Sequence, residues 1–388
     1  MPVKSTAIWV VLCNPENRRF SFFREALEKG APHQLILISY EELLQHPSGM
    51  ALLAAKLSGV KGRKVYIKIE SPGENFLVTK HLIALGAEEL PSRITSELAM
   101  QLPFDKGRFG YLHEWYLGFR KLLGTVSQIL DELAVSNTLS LAYLNTPSAV
   151  LSMLDKHACQ RFLEAHNIST PKLIPVIEDF SSWVGKLIEK RCFQVFIKPK
   201  YGSSAAGVIA LRIKPDGNQF IARTSLELVK QQRDVRCYNS LKVRTYSTVQ
   251  EIEMLYDTVM REGAYAEQWL PKAQINGKSF DLRVVVINGK ATHSVTRCSH
   301  SPMTNLHLGN QRCDVLEHEF GRQMSNCAYE TAEQAAVAFP EARCFGADVI
   351  VSPKRARIIE LNAFGDLLPG IEHKGKSTYD AQVEAMIC

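Results

Sequence analysis

The spacing of apolar positions changes character partway along the chain. Residues 1–90 alternate between short β-branched runs and stretches with helical periodicity. IWVVLC (8–13), LILISY (35–40) and KVYIKIE (64–70) predict strands, and Phe20–Lys29, Glu41–Leu57 and residues 75–86 predict helices. Such alternation implies an open, mostly parallel sheet, whose ligands bind beyond the carboxyl ends of the strands. Glu70-Ser71-Pro72-Gly73-Glu74-Asn75 lies at one such end, as a substrate-facing loop or an ordinary connection. An aromatic-rich helix over 110–133 and a strand at SLAYLN (140–145) follow. Thr146-Pro147 then starts a helix, with Pro at its first position. The pattern carries that helix through Asp155-Lys156 to about His166, and Ile168-Ser169-Thr170-Pro171 ends it. From residue 193 strand patterns dominate: VFIKPK, GVIALRIK, residues 265–270, DLRVVVING, KATHSVTR and a closing hairpin. Helical patterns interrupt them at 225–232, 248–262 and 328–339. The change of pattern places a domain boundary near 145.

Composition narrows the class without naming a function. A chain of 388 residues with 46% hydrophobic and 22% charged residues has enough apolar content for two or three cores. The net charge of +6 suits an anionic ligand but is too dispersed to argue for nucleic acid. No apolar run approaches the roughly 18 residues of a membrane helix, and Ile8–Cys13 is too short for a signal-peptide core. Nine cysteines without a CxxC argue against a disulfide framework or a zinc site and predict reduced thiols in a cytoplasmic protein.

The chemistry-bearing residues concentrate in the closing hairpin, GADVIVSPKRARIIELNAFGD (346–366). Two β-branched strands flank Ser352-Pro353-Lys354-Arg355. Folding about Lys354 sets Ser352 against Ala356, Ile350 against Ile358 and Asp348 against Glu360. Opposed residues have Cβ atoms about 4.5–5.5 Å apart, and Asn362 returns to the same face two residues on. Two carboxylates so placed repel unless a cation lies between them. Hard oxygens of this kind suit Mg²⁺. The bland alternative is a surface hairpin with its acids in water.

Four further stretches add candidates. FQVFIKPKYGSSAAGVIALRIK (193–214) predicts two strands around a small-residue loop, with six basic residues and no acid between Lys190 and Lys214. Backbone N–H groups of such a loop approach anions closely, and Lys198 adds a point charge; an ordinary flexible hairpin is the alternative. It is not a P-loop, because no GxxxxGK[ST] is present and a strand follows. Lys156 lies on the preceding helix, where a solvated lysine is the commoner reading. Ala266-Glu267-Gln268-Trp269-Leu270-Pro271 predicts a strand stopped by proline, with backbone open to a base edge or a tryptophan in the core. Asp281, Arg283 and Val285 share one strand face, and Arg297 ends the next strand. Two arginines there clamp a phosphoryl group or form a structural ion pair with Asp281.

In this order the motifs resemble the ATP-grasp superfamily, closest to its RimK-type and glutathione-synthetase-like members, over about residues 147–370. The resemblance rests on DK at 155–156, VFIKPKYGSSAAGV at 195–208, AEQWL at 266–270, DLRVVV at 281–286, Arg297, NLHLGN at 305–310 and the terminal D…ELN at 348–362. It implies an N-terminal α/β domain (1–145) with a mostly parallel sheet, then an α+β ATP-grasp fold with antiparallel sheets (146–388). Within the latter it implies a flap-bearing part at about 170–265 and a metal-site part at about 266–370. It assigns Lys156 and Lys198 to ATP phosphates and the 202–207 loop, with Gly202, Ser203, Ser204 and Gly207, to the flap. Glu267, Gln268, Trp269 and Leu270 would form the adenine hinge, with Asp281 also on the nucleotide. Arg283, Arg297, Lys198 and Asn305 would act on the transferring phosphoryl group. Asp348, Glu360 and Asn362 would hold two Mg²⁺ ions, or Mn²⁺. Gly309-Asn310 departs from the two glycines usual in RimK-type chains, and residues 371–388 match nothing in the pattern.

The activity implied is ATP-dependent joining of a carboxylate to an amine through an acyl phosphate. The partner would be a small-molecule or peptide substrate, with no nucleic acid and no membrane, and oligomerisation stays open. A kinase acting on a hydroxyl and a non-catalytic ATP-binding partner are the alternatives.

Overall fold

The computed structural model describes residues 7–30, 32–45, 49–89, 92–231, 234–314, 319–352, 355–364 and 368–387. Its first sheet follows the N-terminal alternation. Strands β1 (Ala7–Cys13), β2 (His33–Ser39), β3 (Lys64–Ile69) and β4 (Ser140–Tyr143) lie in the order β2-β1-β3-β4, and every neighbouring pair is parallel. Helices α1 (Arg18–Glu28), α2 (Tyr40–Gln45), α3 (Gly49–Leu57), α4 (Phe76–Ala87), α5 (Ser96–Met100) and α6 (Leu112–Asn137) fill the connections. The side chains of Asn17 and Asn75 accept from backbone N–H groups and cap α1 and α4. The single helix expected over 41–57 is divided into α2 and α3; residues 46–48 lie outside the described residues. Helices α4 and α6 meet backbone to backbone. A Cβ on Gly86 would come 1.8 Å from the Glu114 carbonyl oxygen, and one on Gly118 1.9 Å from that of Leu82, so both positions require glycine.

The second sheet is antiparallel, in the order β5-β10-β6-β7-β8-β9. It comprises β5 (Leu173–Ile174), β6 (Gln194–Pro199), β7 (Ile209–Ile213), β8 (Phe220–Gln231), β9 (Asp234–Tyr246) and β10 (Ala264–Gln268). The helix expected over 225–232 is instead part of β8. Leu226 and Leu228 alternate with Ser225 and Glu227, and pairing with β9 overrides the helix propensity of Leu, Glu, Lys and Gln. Residue 232 lies outside the described residues. The helix expected from 147 to 166 is broken at Asp155, which has ψ 90°. Helix α7 (Pro147–Leu154) ends there and α8 (Lys156–Ala165) begins, with Asp155 Oδ1 accepting from the Ala158 N–H at 2.9 Å. The break puts Lys156 at the first position of α8. Helices α9 (Phe180–Glu189) and α10 (Val249–Arg261) cover one face of this sheet and bury Trp183 and Tyr256 against each other.

A third, antiparallel sheet has the order β14-β13-β12-β15-β16, with β11 (Gln274–Ile275) paired to β12 (Lys278–Ile287). Its remaining strands are β13 (Lys290–Ser299), β14 (Gln311–Cys313), β15 (Cys344–Ser352) and β16 (Arg355–Asn362), and α11 (Glu319–Ala338) packs on it. One apolar core joins this sheet to the first through residues such as Leu12, Phe119, Val284 and Phe345. Helix α12 (Thr378–Ile387) closes a second seam between them, and Lys68 Nζ donates to its Gln382 at 2.8 Å. Cys298 on β13 and Cys313 on β14 lie side by side across the strand pair, with their Cα atoms 6.1 Å apart. The two cysteines meet by cross-strand proximity, which spacing in the sequence does not disclose. Among the described residues no helix is long and apolar enough to cross a membrane.

Candidate active site

The closing hairpin is β15 and β16, and it brings Asp348 opposite Glu360 as expected. The register leading there differs. Ser352 pairs with Arg355 rather than Ala356, and Ile350 with Arg357 rather than Ile358. A β-bulge between Asp348 and Val349, with Ile359 as the extra residue, then restores the Asp348–Glu360 pair. The turn residues Pro353 and Lys354 lie outside the described residues.

Asp348 anchors a buried chain of charges. Arg283 donates to both of its oxygens, through Nε to Oδ1 and through Nη2 to Oδ2 at 2.9 Å. Arg297 Nη2 lies 3.1 Å from Asp348 Oδ1, and its Nε donates to Asp281 Oδ1 at 2.9 Å. Lys272 Nζ donates to Asp281 Oδ2 at 2.9 Å and to Thr304 Oγ1 at 2.7 Å. Burial pushes both aspartates toward the neutral form, but the adjacent cations hold them below the usual carboxylate range. Lys272 is pushed down by burial, which Asp281 only partly offsets.

A second set of pairs faces these across one cleft. Lys198 on β6 lies 2.5 Å from Glu267 Oε1 on β10. Burial raises the Glu267 carboxyl despite that lysine, and its Oε2 has no hydrogen-bond partner among the described residues. Lys156 Nζ donates to the Gly202 carbonyl at 2.7 Å and lies 3.2 Å from Glu360 Oε1. Gly202 opens the loop between β6 and β7. Left-handed backbone at Gly202, Ser204, Ala205 and Gly207 folds that loop tightly, and Ser225 Oγ donates to the Ala205 carbonyl at 3.1 Å.

The cleft gathers most of the residues expected from the sequence. Lys156, Lys198, Gly202, Ser203, Glu267, Gln268, Leu270, Asp281, Arg297, Asn305, Asp348 and Glu360 line it. Five others lie off its wall. Arg283 sits behind Asp348, Ser204 is exposed on the loop, and Gly207 is buried against the Phe109 ring. Trp269 packs on Phe196, with its ring centroid 5.1 Å away, and under Arg212. Asn362 pairs with Gly346, and its buried Nδ2 has no partner among the described residues. The sequence reading missed Lys272, Thr304, Phe196, Met303, Ile350 and Ile359, which also line the cleft. No pattern in the sequence points to Lys272, because the burial of Asp281 that calls for a second cation emerges only on folding.

The donor set fits a magnesium ion. Glu360 has Lys156 as its one charged partner among the described residues. Asn362 sits two residues beyond Glu360 on the same strand, where its amide oxygen would be a hard, neutral ligand. Among the described residues no three His, Cys, Asp or Glu side chains cluster. One or two carboxylates completed by water and phosphate oxygens are the pattern that Mg²⁺ takes.

Residues 147–363 match the YheC/D-like ATP-grasp family. No curated protein sequence matches the chain. Among solved structures, the D-cycloserine synthetase DcsG is similar over 98% of this chain and 99% of its own, with TM-score 0.52 and 12% identity. The macrocyclase MdnC from Microcystis aeruginosa MRC, solved with its precursor peptide MdnA, is similar over 98% of this chain and 99% of its own, with TM-score 0.51 and 12% identity. At these identities the likeness establishes a shared fold.

Proposed function

The chain belongs to the YheC/D-like ATP-grasp family, and on that footing we propose that it is an ATP-dependent carboxylate–amine ligase. The observation that carries this reading is the convergence of Lys156, Lys198, Arg297, Asp348 and Glu360 on one cleft whose other walls include Phe196, Leu270, Ile350 and Ile359. The apolar walls suit a flat base, and the charged end suits a polyphosphate.

Lys156, held by the Gly202 carbonyl, and Lys198 neutralise phosphate oxygens in the cleft beneath the loop at 202–207. Arg297, backed by Arg283 through Asp348, faces the phosphoryl group in transfer. Asp348, Glu360 and Asn362 would hold Mg²⁺. When bound, the ion would supply charge neutralisation at the phosphate oxygens. A substrate carboxylate oxygen attacks the γ-phosphorus, the bond to the β,γ-bridging oxygen breaks, and ADP leaves. An amine then attacks the acyl carbon of the acyl phosphate, loses a proton and expels inorganic phosphate. These cations are already fixed by carboxylates, so little reorganisation opposes the transfer.

The test is a phosphate-release screen of Mg-ATP against amino acids, short peptides and cell extract, with mass spectrometry of each hit. Peptides belong in the panel because MdnC was solved with one. A new amide with free phosphate supports the ligase. Phosphate retained on an acceptor hydroxyl identifies a kinase, and nucleotide binding without turnover identifies a binding partner.

The loop at 202–207 yields a separate expectation. Gly207 has φ +77°, and a Cβ there would come 2.6 Å from the Phe109 ring. Gly207→Ala is expected to weaken binding of AMP-PNP by about tenfold, in line with a left-handed cost of roughly 1–2 kcal/mol. Isothermal titration beside a thermal melt reads both effects. Unchanged affinity would mean that the loop does not shape the nucleotide site.

A further inference from the structure

Lys272 has no role in the mechanism just described, yet its side chain is 8% exposed and lines the cleft beside Arg297. Its position follows from the chain. Pro271 ends the segment after β10, and Lys272 then reaches Asp281 on β12 and Thr304 in the loop after β13.

Asp281 divides its two oxygens. Oδ1 accepts from Arg297 Nε, whereas Oδ2 accepts from Lys272 Nζ and from the Thr304 hydroxyl. An arginine facing a free carboxylate prefers the two-pronged arrangement, with parallel bonds to both oxygens. Arg283 adopts it on Asp348. Arg297 does not adopt it on Asp281. One of its nitrogens is on Asp281 and another on Asp348, so its guanidinium bridges two strands at the cleft wall.

We infer that Lys272 is a positioning residue: by occupying Oδ2 of Asp281 it keeps Arg297 bridging Asp281 and Asp348 and stops it from folding back onto Asp281 alone. Thr304 assists on the same oxygen. The inference rests on the nucleotide reading above, because Arg297 matters here through its contact with the terminal phosphate.

The full-length protein is titrated with AMP-PNP and with ADP in the presence of Mg²⁺, and the ratio of the two affinities is the readout. Lys272→Met is expected to lower that ratio about tenfold, the worth of one charged hydrogen bond, with ADP affinity unchanged. Lys272→Arg, which still donates to Oδ2, restores most of the ratio. Arg297→Met lowers it similarly, and adding Lys272→Met to Arg297→Met lowers it no further. Should Lys272→Met not fold, Thr304→Val takes its place, with a loss of about threefold that also vanishes in the Arg297→Met background. Additive losses, an equal loss for ADP, or a wild-type protein that does not distinguish the two nucleotides overturns the inference. A wild-type protein that binds neither nucleotide removes the nucleotide reading as well. Wild-type discrimination kept intact in Lys272→Met removes the inference alone.

Discussion

Turnover of Glu360→Gln is expected to fall by about 10²–10³, the effect of removing one charged contact to a transition state, while the protein melts within a few degrees of wild type. Glu360 allows this separation because its side chain is 24% exposed and its charge is engaged by Lys156 alone among the described residues. Loss of such a pair costs at most about 1 kcal/mol of stability. Glutamine preserves size and leaves β16 undisturbed, so a lost activity reports on metal and phosphate rather than on folding. Phosphate release on the best acceptor, a Mg²⁺ titration and a thermal melt suffice. The apparent Mg²⁺ requirement should rise in the variant. Near-normal turnover at ordinary Mg²⁺ would remove Glu360 from the metal site. Asp348→Ala gives no such clean answer, although it too should abolish ADP release. Asp348 holds two buried arginines, and its removal damages the fold and the chemistry together.

How far the sequence disclosed this site depends on the kind of signal. Period-two strands made the pairing of Asp348 with Glu360 legible, because a short turn and β-branched residues leave few registers. The inferred register was nonetheless one residue off near the turn, and a bulge at Ile359 cancelled the offset. Bulges leave no compositional mark, so that agreement depended on a feature the sequence does not display. The β8–β9 hairpin was misread in part because Leu, Glu, Lys and Gln favour helix locally, and only cross-strand pairing decides otherwise. Helix α9, by contrast, was legible and overlooked: Phe180, Trp183, Val184 and Leu187 fall on one face. Lys272 and Thr304 carry no periodic signal. Their importance comes from the fully buried carboxylate of Asp281, which only the folded chain reveals.

That carboxylate sets the largest stability effect expected. Asp281→Ala should destabilise the protein by about 3–5 kcal/mol, because it strips Lys272, a buried cation, of its carboxylate and leaves Arg297 with Asp348 alone. Both cations lie under 10% exposed, so water cannot take its place without opening the cleft wall. Asp281→Asn keeps the shape and tests the charge. Burial alone would raise the Asp281 carboxyl, but Arg297 and Lys272 outweigh it, and the folded-state pKa lies below its ordinary value near 4. A carboxylate depressed on folding contributes stability that is fully present above its unfolded pKa and disappears as the pH falls toward the folded one. The gap in urea midpoint between wild type and Asp281→Asn should therefore be constant from neutrality down to about pH 5 and narrow below about pH 4. Asp348 is held low by Arg283 and Arg297 against burial, so the variant keeps part of its acid sensitivity. A gap that stays constant down to pH 3 would show that Asp281 stabilises the cleft by packing and hydrogen-bond shape, with its charge contributing little.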